Sequence, residues 1–279
     1  MTETSALNVG QPLERSEDLR LLRGRGRYAD DLPVSPRTLN AAILRSPHAH
    51  AEIENIDAAE ALSRPGVAAV ITGEDVSQLS DPFLVALRQP LHQWPLAVGR
   101  VRYVGEPVAV VIAADRYLAE DAVDALQVSY RQLPAVVDTE IAAEDGATLV
   151  HEDAGTNLVS VRDFAFGDPA AAFAEADHTF KMTTKFSRHS YMPIENFVVV
   201  AEYKPEEDSY DVLSNFQGPY STHPVMSRAL RVPGSRLRLR TPRDSGGSFG
   251  IKLAVFPYIV LISLASKITG RPVRWIEDR

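Results

Sequence analysis

Cysteine is absent from all 279 residues. That excludes disulfides, a thiolate nucleophile, cysteine-held zinc and any iron–sulfur cluster ligated by this chain. Long hydrophobic runs are also missing. The longest, residues 254–268, contains Pro257, Ser263, Ser266 and Lys267. It falls short of the roughly 20 residues of a membrane span and reads as a buried core helix. The first ten residues, MTETSALNVG, lack a basic patch followed by an apolar run, so they do not read as a secretory signal. The expected location is cytoplasmic. No HExxH or other metal-ligand spacing occurs, and the seven histidines read as structural. Basic charge is in deficit: 29 Lys and Arg against 37 Asp and Glu leave a net charge of −8. Such a chain has no global field favouring nucleic acid or an anionic membrane, and the single RGRGR tract at 23–27 is too short to change that.

What is present is ordinary globular composition, 45% apolar and 24% charged, with a length that suggests two domains. Residues 1–19 form a polar arm. Alternating or apolar patterns predict strands at 39–43, 51–56 and 67–72. Residues 73–100 are rich in Pro and Gln without periodicity and are predicted as a long loop. The run VAVVIAA at 108–114 reads as a buried strand. Asp115 is placed to cap a helix over 116–126, whose Leu118, Ala122 and Leu126 share a face. An extended segment follows to residue 138, then a polar, irregular linker at 139–160. The second half predicts a helix at 169–176, strands at 178–187, 196–203 and 210–216, and a helix at 219–230. A strand at 237–241, the helix at 254–268 and a strand at 272–277 complete it. Strand–helix–strand spacing of this kind indicates the mixed α/β (α+β) class. A final strand two residues from the last one predicts a sheet that continues elsewhere.

Two short segments carry candidate chemistry. In DSGGSFGIK (244–252), Gly246, Gly247 and Gly250 free the backbone to approach a ligand and to present N–H groups to an anion. The segment fits neither the phosphate-loop nor the GxGxxG pattern, so a simple tight turn and a cofactor-cradling loop both stay open. In FQGPY (216–220), Gln217 sits at a strand end before a Gly-Pro turn, where a neutral amide can donate to an oxo or carbonyl group or simply satisfy loop backbone. Arg236, Arg238 and Arg240 alternate along one strand face and read as a solvated or subunit-facing edge.

Taken together, the segments resemble the molybdenum hydroxylases: the xanthine dehydrogenase, aldehyde oxidase and carbon monoxide dehydrogenase large-subunit family. LLRGRGRYADDL (21–32), LRSPHAHAEI (44–53), RYVGEPVAVVIAADRYLAEDA (102–122) and LPAVVD (133–138) are similar to its N-terminal hammerhead-type α/β domain. FSRHSYMPIEN (186–196), FQGPYSTHPVMSRAL (216–230), DSGGSFGIK and GRPVRWIEDR (270–279) are similar to the start of its molybdopterin-binding domain. The resemblance implies a hammerhead domain at 20–138 and, at 161–279, the first part of a molybdopterin-binding domain completed by another chain.

It also implies an activity. Family members hold a molybdenum–pterin cofactor, in bacteria usually as molybdopterin cytosine dinucleotide. They hydroxylate an aldehyde or N-heteroaromatic carbon with water as oxygen source, or oxidise carbon monoxide. Electrons leave through 2Fe-2S and FAD partner subunits, which suits a chain without cysteine. By the resemblance Gln217 is the glutamine beside an oxygen ligand of molybdenum. Gly246, Gly247, Ser248, Phe249 and Gly250 are the glycine-rich loop, with Phe249 an apolar wall against substrate. Ser248 replaces a glycine, which predicts strain if its φ is positive. Ile251 replaces a small residue, and Leu253 stands where purine-oxidising members carry a glutamate. The catalytic glutamate and most pterin contacts belong to the family's later segments. A second molybdopterin-binding subunit is therefore the expected partner, and no protein metal ligand is expected here. A non-catalytic scaffold or degenerate paralogue of the same fold stays open beside the enzyme reading.

Overall fold

The computed structural model describes residues 10–83, 91–187, 189 and 191–278. The chain begins with α1 (Asp18–Leu22), then β1 (Leu39–Arg45), β2 (Ala51–Asp57), α2 (Ala59–Ser63), β3 (Val67–Thr72), α3 (Gly73–Leu79) and β4 (Arg100–Val101). β5 (Pro107–Ala113), α4 (Arg116–Val123), β6 (Gln127–Gln132) and α5 (Pro169–Glu175) follow. The remainder is β7 (Val198–Lys204), β8 (Ser209–Ser214), α6 (Pro219–Ala229), β9 (Leu237–Arg240), α7 (Phe256–Thr269) and β10 (Val273–Ile276).

These strands make a seven-stranded sheet, ordered β3-β5-β1-β10-β7-β8-β9, and a three-stranded sheet, β4-β2-β6. β5 is buried along its whole length because both faces are covered. Val110 and Ile112 face the main core with Ile259, Leu261 and Ile262 of α7, while Ala109 and Val111 pack with Ala61 and Ala122 of the short helices. The expected cap is present: Asp115 accepts from the Leu118 N–H at 2.9 Å and starts α4, a contribution of about 1 kcal/mol. Residues 251–269 are long and apolar enough to cross a membrane by length and composition. The fold uses α7 as its core helix, with residues 259–266 all buried.

Three expectations fail. Residues 73–100 are not loop throughout: Thr72 and Asp75 form a reciprocal capping box that starts α3. Residues 178–187 are not a strand; they run without regular structure and fully exposed. The final strand is not open. β10 pairs parallel with β1 (Leu39 opposite Val273) and antiparallel with β7 (Val273 opposite Ala201). The free edges belong instead to β3 and β9. One core therefore runs through both halves, from Leu39 and Ile71 to Val212 and Trp275.

Candidate functional site

The site forms where the loop at 244–252 meets the end of β8. Lys252 lies in the 3-10 turn Ile251–Val255 ahead of α7, and its side chain is only 1% exposed. A buried ammonium demands a partner. Glu195 supplies it: Oε2 accepts from Lys252 Nζ at 2.6 Å and from the Gly246 N–H at 2.8 Å. Its Oε1 accepts from the Ala29 N–H at 3.2 Å. Burial pushes the Glu195 carboxyl up, but these hydrogen bonds outweigh it and hold the group below its ordinary value. At the other end of the loop Asp244 receives a two-pronged bond from Arg20, at 2.6 and 2.5 Å, and one from the Arg27 N–H at 2.6 Å. Arg20 first, then the Arg27 N–H, hold its carboxyl well below the usual range. Both ends of the loop are thus tied to residues 20–29.

The loop's glycines have separate reasons. A Cβ on Gly246 would lie 2.4 Å from Glu195 Cβ, so only glycine permits this approach. Gly247 and Gly250 have φ of +104° and +91°. Ser248 is not among the positive-φ residues, so the strain expected there does not arise. It falls on Phe249, at φ 51°, where a left-handed non-glycine residue costs about 1–2 kcal/mol. Phe249 is 67% exposed, its ring uncovered.

Gln217 joins this loop through two bonds. Its N–H donates to the Lys252 carbonyl at 3.2 Å. Its Oε1 accepts from the Ser248 hydroxyl at 2.5 Å. The amide NH2 of Gln217 and the backbone N–H groups of Gly247, Ser248, Phe249 and Gly250 have no hydrogen-bond partner among the described residues. Several unpaired donors with two positive-φ glycines suit anionic oxygens. Ile251, the next residue, lines a cleft of about 810 Å³ walled by Phe83, Trp94, Phe256 and Tyr258.

The fold therefore brings Gln217, Gly246, Gly247, Ser248, Phe249 and Gly250 together. It leaves the other candidates elsewhere. Arg236, in the 3-10 turn before β9, pairs with Asp208, and Arg240 on β9 pairs with Asp211, contacts of small energetic weight. His50 and His223 each bond a backbone carbonyl at 2.8 Å, of Pro134 and Leu237. Among the described residues no group of three or more His, Cys, Asp or Glu could hold a metal ion. Sequence reasoning missed Glu195, Lys252 and the Arg20–Asp244 pair. The available signal was Lys252 itself, a lone charge at the head of an apolar helix.

Comparison with known proteins bears on the same region. Residues 150–279 match the family described as molybdopterin cofactor-binding domain. Residues 23–134 match aldehyde oxidase and xanthine dehydrogenase, a/b hammerhead domain. The chain is 36% identical over 279 residues to 6-hydroxypseudooxynicotine dehydrogenase complex subunit gamma of Paenarthrobacter nicotinovorans, covering 97% of this chain and 34% of that one. It is 34% identical over 276 residues to the carbon monoxide dehydrogenase large chain of Hydrogenophaga pseudoflava, covering 94% and 34%. Among solved structures, quinoline 2-oxidoreductase from Pseudomonas putida 86 superposes with a TM-score of 0.85 at 38% identity, covering 95% of this chain and 34% of the other. The chain thus spans about a third of the length of these relatives. With both domain types matched in order, it belongs to the molybdenum hydroxylase family and corresponds to the N-terminal portion of its molybdopterin-binding subunit.

Proposed function

We propose that this chain supplies the glutamine and glycine-loop wall of a molybdenum–pterin site in an enzyme that hydroxylates an N-heteroaromatic or aldehyde carbon, with water as oxygen source. One observation carries the reading: the Gln217 NH2 stands beside four consecutive N–H groups, at residues 247–250, and none of these donors has a partner among the described residues. That donor set suits an anionic, oxygen-rich group such as this cofactor, and Gly246 and Gly247 let the loop close against Glu195 and Pro193. When bound, the cofactor supplies two-electron oxidation of the substrate carbon.

The chain's own residues bind and orient. Gln217 donates to a negatively charged oxygen without adding formal charge. The loop N–H groups do the same from a fixed backbone, because Glu195 and Asp244 anchor the loop at its ends. Phe249 sets an apolar ring at the mouth and excludes water. The rings of Phe83, Trp94, Phe256 and Tyr258 give the cleft at Ile251 an apolar wall for a planar substrate, beside the polar Arg100, Arg102 and Glu106, and no carboxylate stands at Leu253 to anchor a purine. The relative named quinoline 2-oxidoreductase favours the N-heteroaromatic choice.

Residues beyond these 279 complete the site in this reading: the general-base glutamate, most contacts to a cytosine-dinucleotide cofactor, and 2Fe-2S and FAD partners that take the electrons. The test is to purify the assembly through a tag on this chain and measure molybdenum, iron and turnover. N-heterocycles, aldehydes and carbon monoxide are screened with an artificial acceptor. Molybdenum with heterocycle or aldehyde turnover is expected. An assembly holding iron but no molybdenum would favour the scaffold reading, and turnover of carbon monoxide alone would replace the substrate class.

A further inference from the structure

One segment of the molybdopterin-binding match does nothing for the fold described above. Residues 161–187 are exposed throughout, and α5 within them buries no residue. The segment lies inside the matched range 150–279, so it is part of the domain and not an addition to it. Its last stretch, HTFKMTTKFS at 178–187, alternates strictly. His178, Phe180, Met182, Thr184 and Phe186 fall on one face of an extended chain, and Thr179, Lys181, Thr183, Lys185 and Ser187 on the other. Phe180 is 88%, Met182 71% and Phe186 88% exposed. Among the described residues the one ring contact on this face is local, Phe186 edge-on to His189 at 5.2 Å. Phe and Thr at this density favour strand, and a lone strand cannot satisfy its own N–H and C=O groups. Pattern and propensity specify a strand that pairs with no neighbour among the described residues.

We propose that residues 178–187 become a β-strand in the assembled enzyme by pairing edge to edge with the part of the molybdopterin-binding region that lies outside these 279 residues, which also covers Phe180, Met182 and Phe186. This rests on the reading that such a region completes the site. The relatives' length supports the occupant, since about two-thirds of each lies outside the match. A second copy of this chain is the poorer occupant. An antiparallel self-pair centred on Thr183 sets Lys181 opposite Lys185 twice, and directly opposed like charges are destabilising.

The experiment is hydrogen–deuterium exchange on the native enzyme, purified through a tag on this chain, followed at 178–187 and at 108–112 as a control. In the assembly, exchange at 178–187 is expected to be at least about 100-fold slower than in a free peptide. Phe180→Ser with Phe186→Ser should remove that protection and reduce recovery of the assembly about tenfold. Lys181→Gln with Lys185→Gln, on the opposite face, should leave both unchanged. Unaltered protection at 108–112 shows that each variant still folds. Free-peptide exchange in the native enzyme overturns the proposal, as does equal response to changes on either face. Protection that arises in the isolated chain as it dimerises, read by sedimentation, assigns the strand to a second copy instead. Molybdenum content and turnover on the same samples separate the two claims: a protected strand in a metal-free assembly keeps this inference and removes the catalytic one.

Discussion

The loop at 244–252 and the stretch at 161–187 invert what their compositions suggest. The loop has three glycines and a serine pair, the makings of a loose turn. It is nevertheless held at both ends by carboxylates, one on a buried lysine and one on a two-pronged arginine. The stretch carries Phe164, Phe166, Phe173, Phe180 and Phe186, the makings of a core, and buries none of them. Residue type sets what a segment can do, but its contacts decide what it does. Here the fixed region is the one whose anchors lie in the same chain. Charges 57 and 224 residues apart in sequence do the fixing.

That contrast can be broken from the loop side first. Lys252→Met leaves the Glu195 carboxylate without its ammonium partner. It should lower stability by about 3–5 kcal/mol in urea unfolding; a loss near zero would mean the pair anchors nothing. Next in size, Gln217→Ala should cut turnover of the assembled enzyme about 10²–10³-fold. Its unfolding midpoint should hold, because Gln217 is exposed, and unchanged turnover would remove its assigned role. Gly246→Ala forces a Cβ against Glu195 and should cost about 1–3 kcal/mol.

Acid provides a gentler lever. Glu195 and Asp244 are held below their unfolded values of 4.5 and 3.8. Their stabilisation is therefore complete above those values and drains away as pH falls through the lower folded ones. The stability advantage of the wild type over Glu195→Gln should stay level from neutral pH to about 4.5 and shrink below it. An advantage that grows on acidification would contradict the sign. Smallest of all, Phe173→Ser in the bare stretch should move the isolated chain's stability by no more than about 0.5 kcal/mol. A large loss there would show that the stretch is anchored after all.

Much of the fold was legible because its signals are local. The apolar run of β5, the alternation of β1 and β2 and the Asp115 cap each declare themselves within a few residues. α3 was lost because Pro and Gln farther along 73–100 masked its Thr72–Asp75 box. The position of β10 was illegible because a parallel pair with β1 links residues at opposite ends of the sequence. In the site, Gln217 and the loop read as two separate turns on local evidence, and only the family resemblance joined them. Glu195 was missed for the same reason as β10: its partners, Ala29, Gly246 and Lys252, are remote in sequence. The alternation at 178–187 predicted a strand that does not form here, because a pattern does not supply a neighbour.

The interior place of β10 also sets a timetable. β1 leaves the ribosome early with one edge bonded to β5 and the other reserved for a strand that begins at Val273. Translation at about 5–20 residues per second puts roughly ten to fifty seconds between them. From the emergence of β7 to β9 until β10 arrives, the nascent chain exposes two unfinished half-sheets, each with an edge able to pair with a wrong partner. The two halves cannot fold as successive independent units. They close in one late event, when four residues near the end of the sequence slide between them.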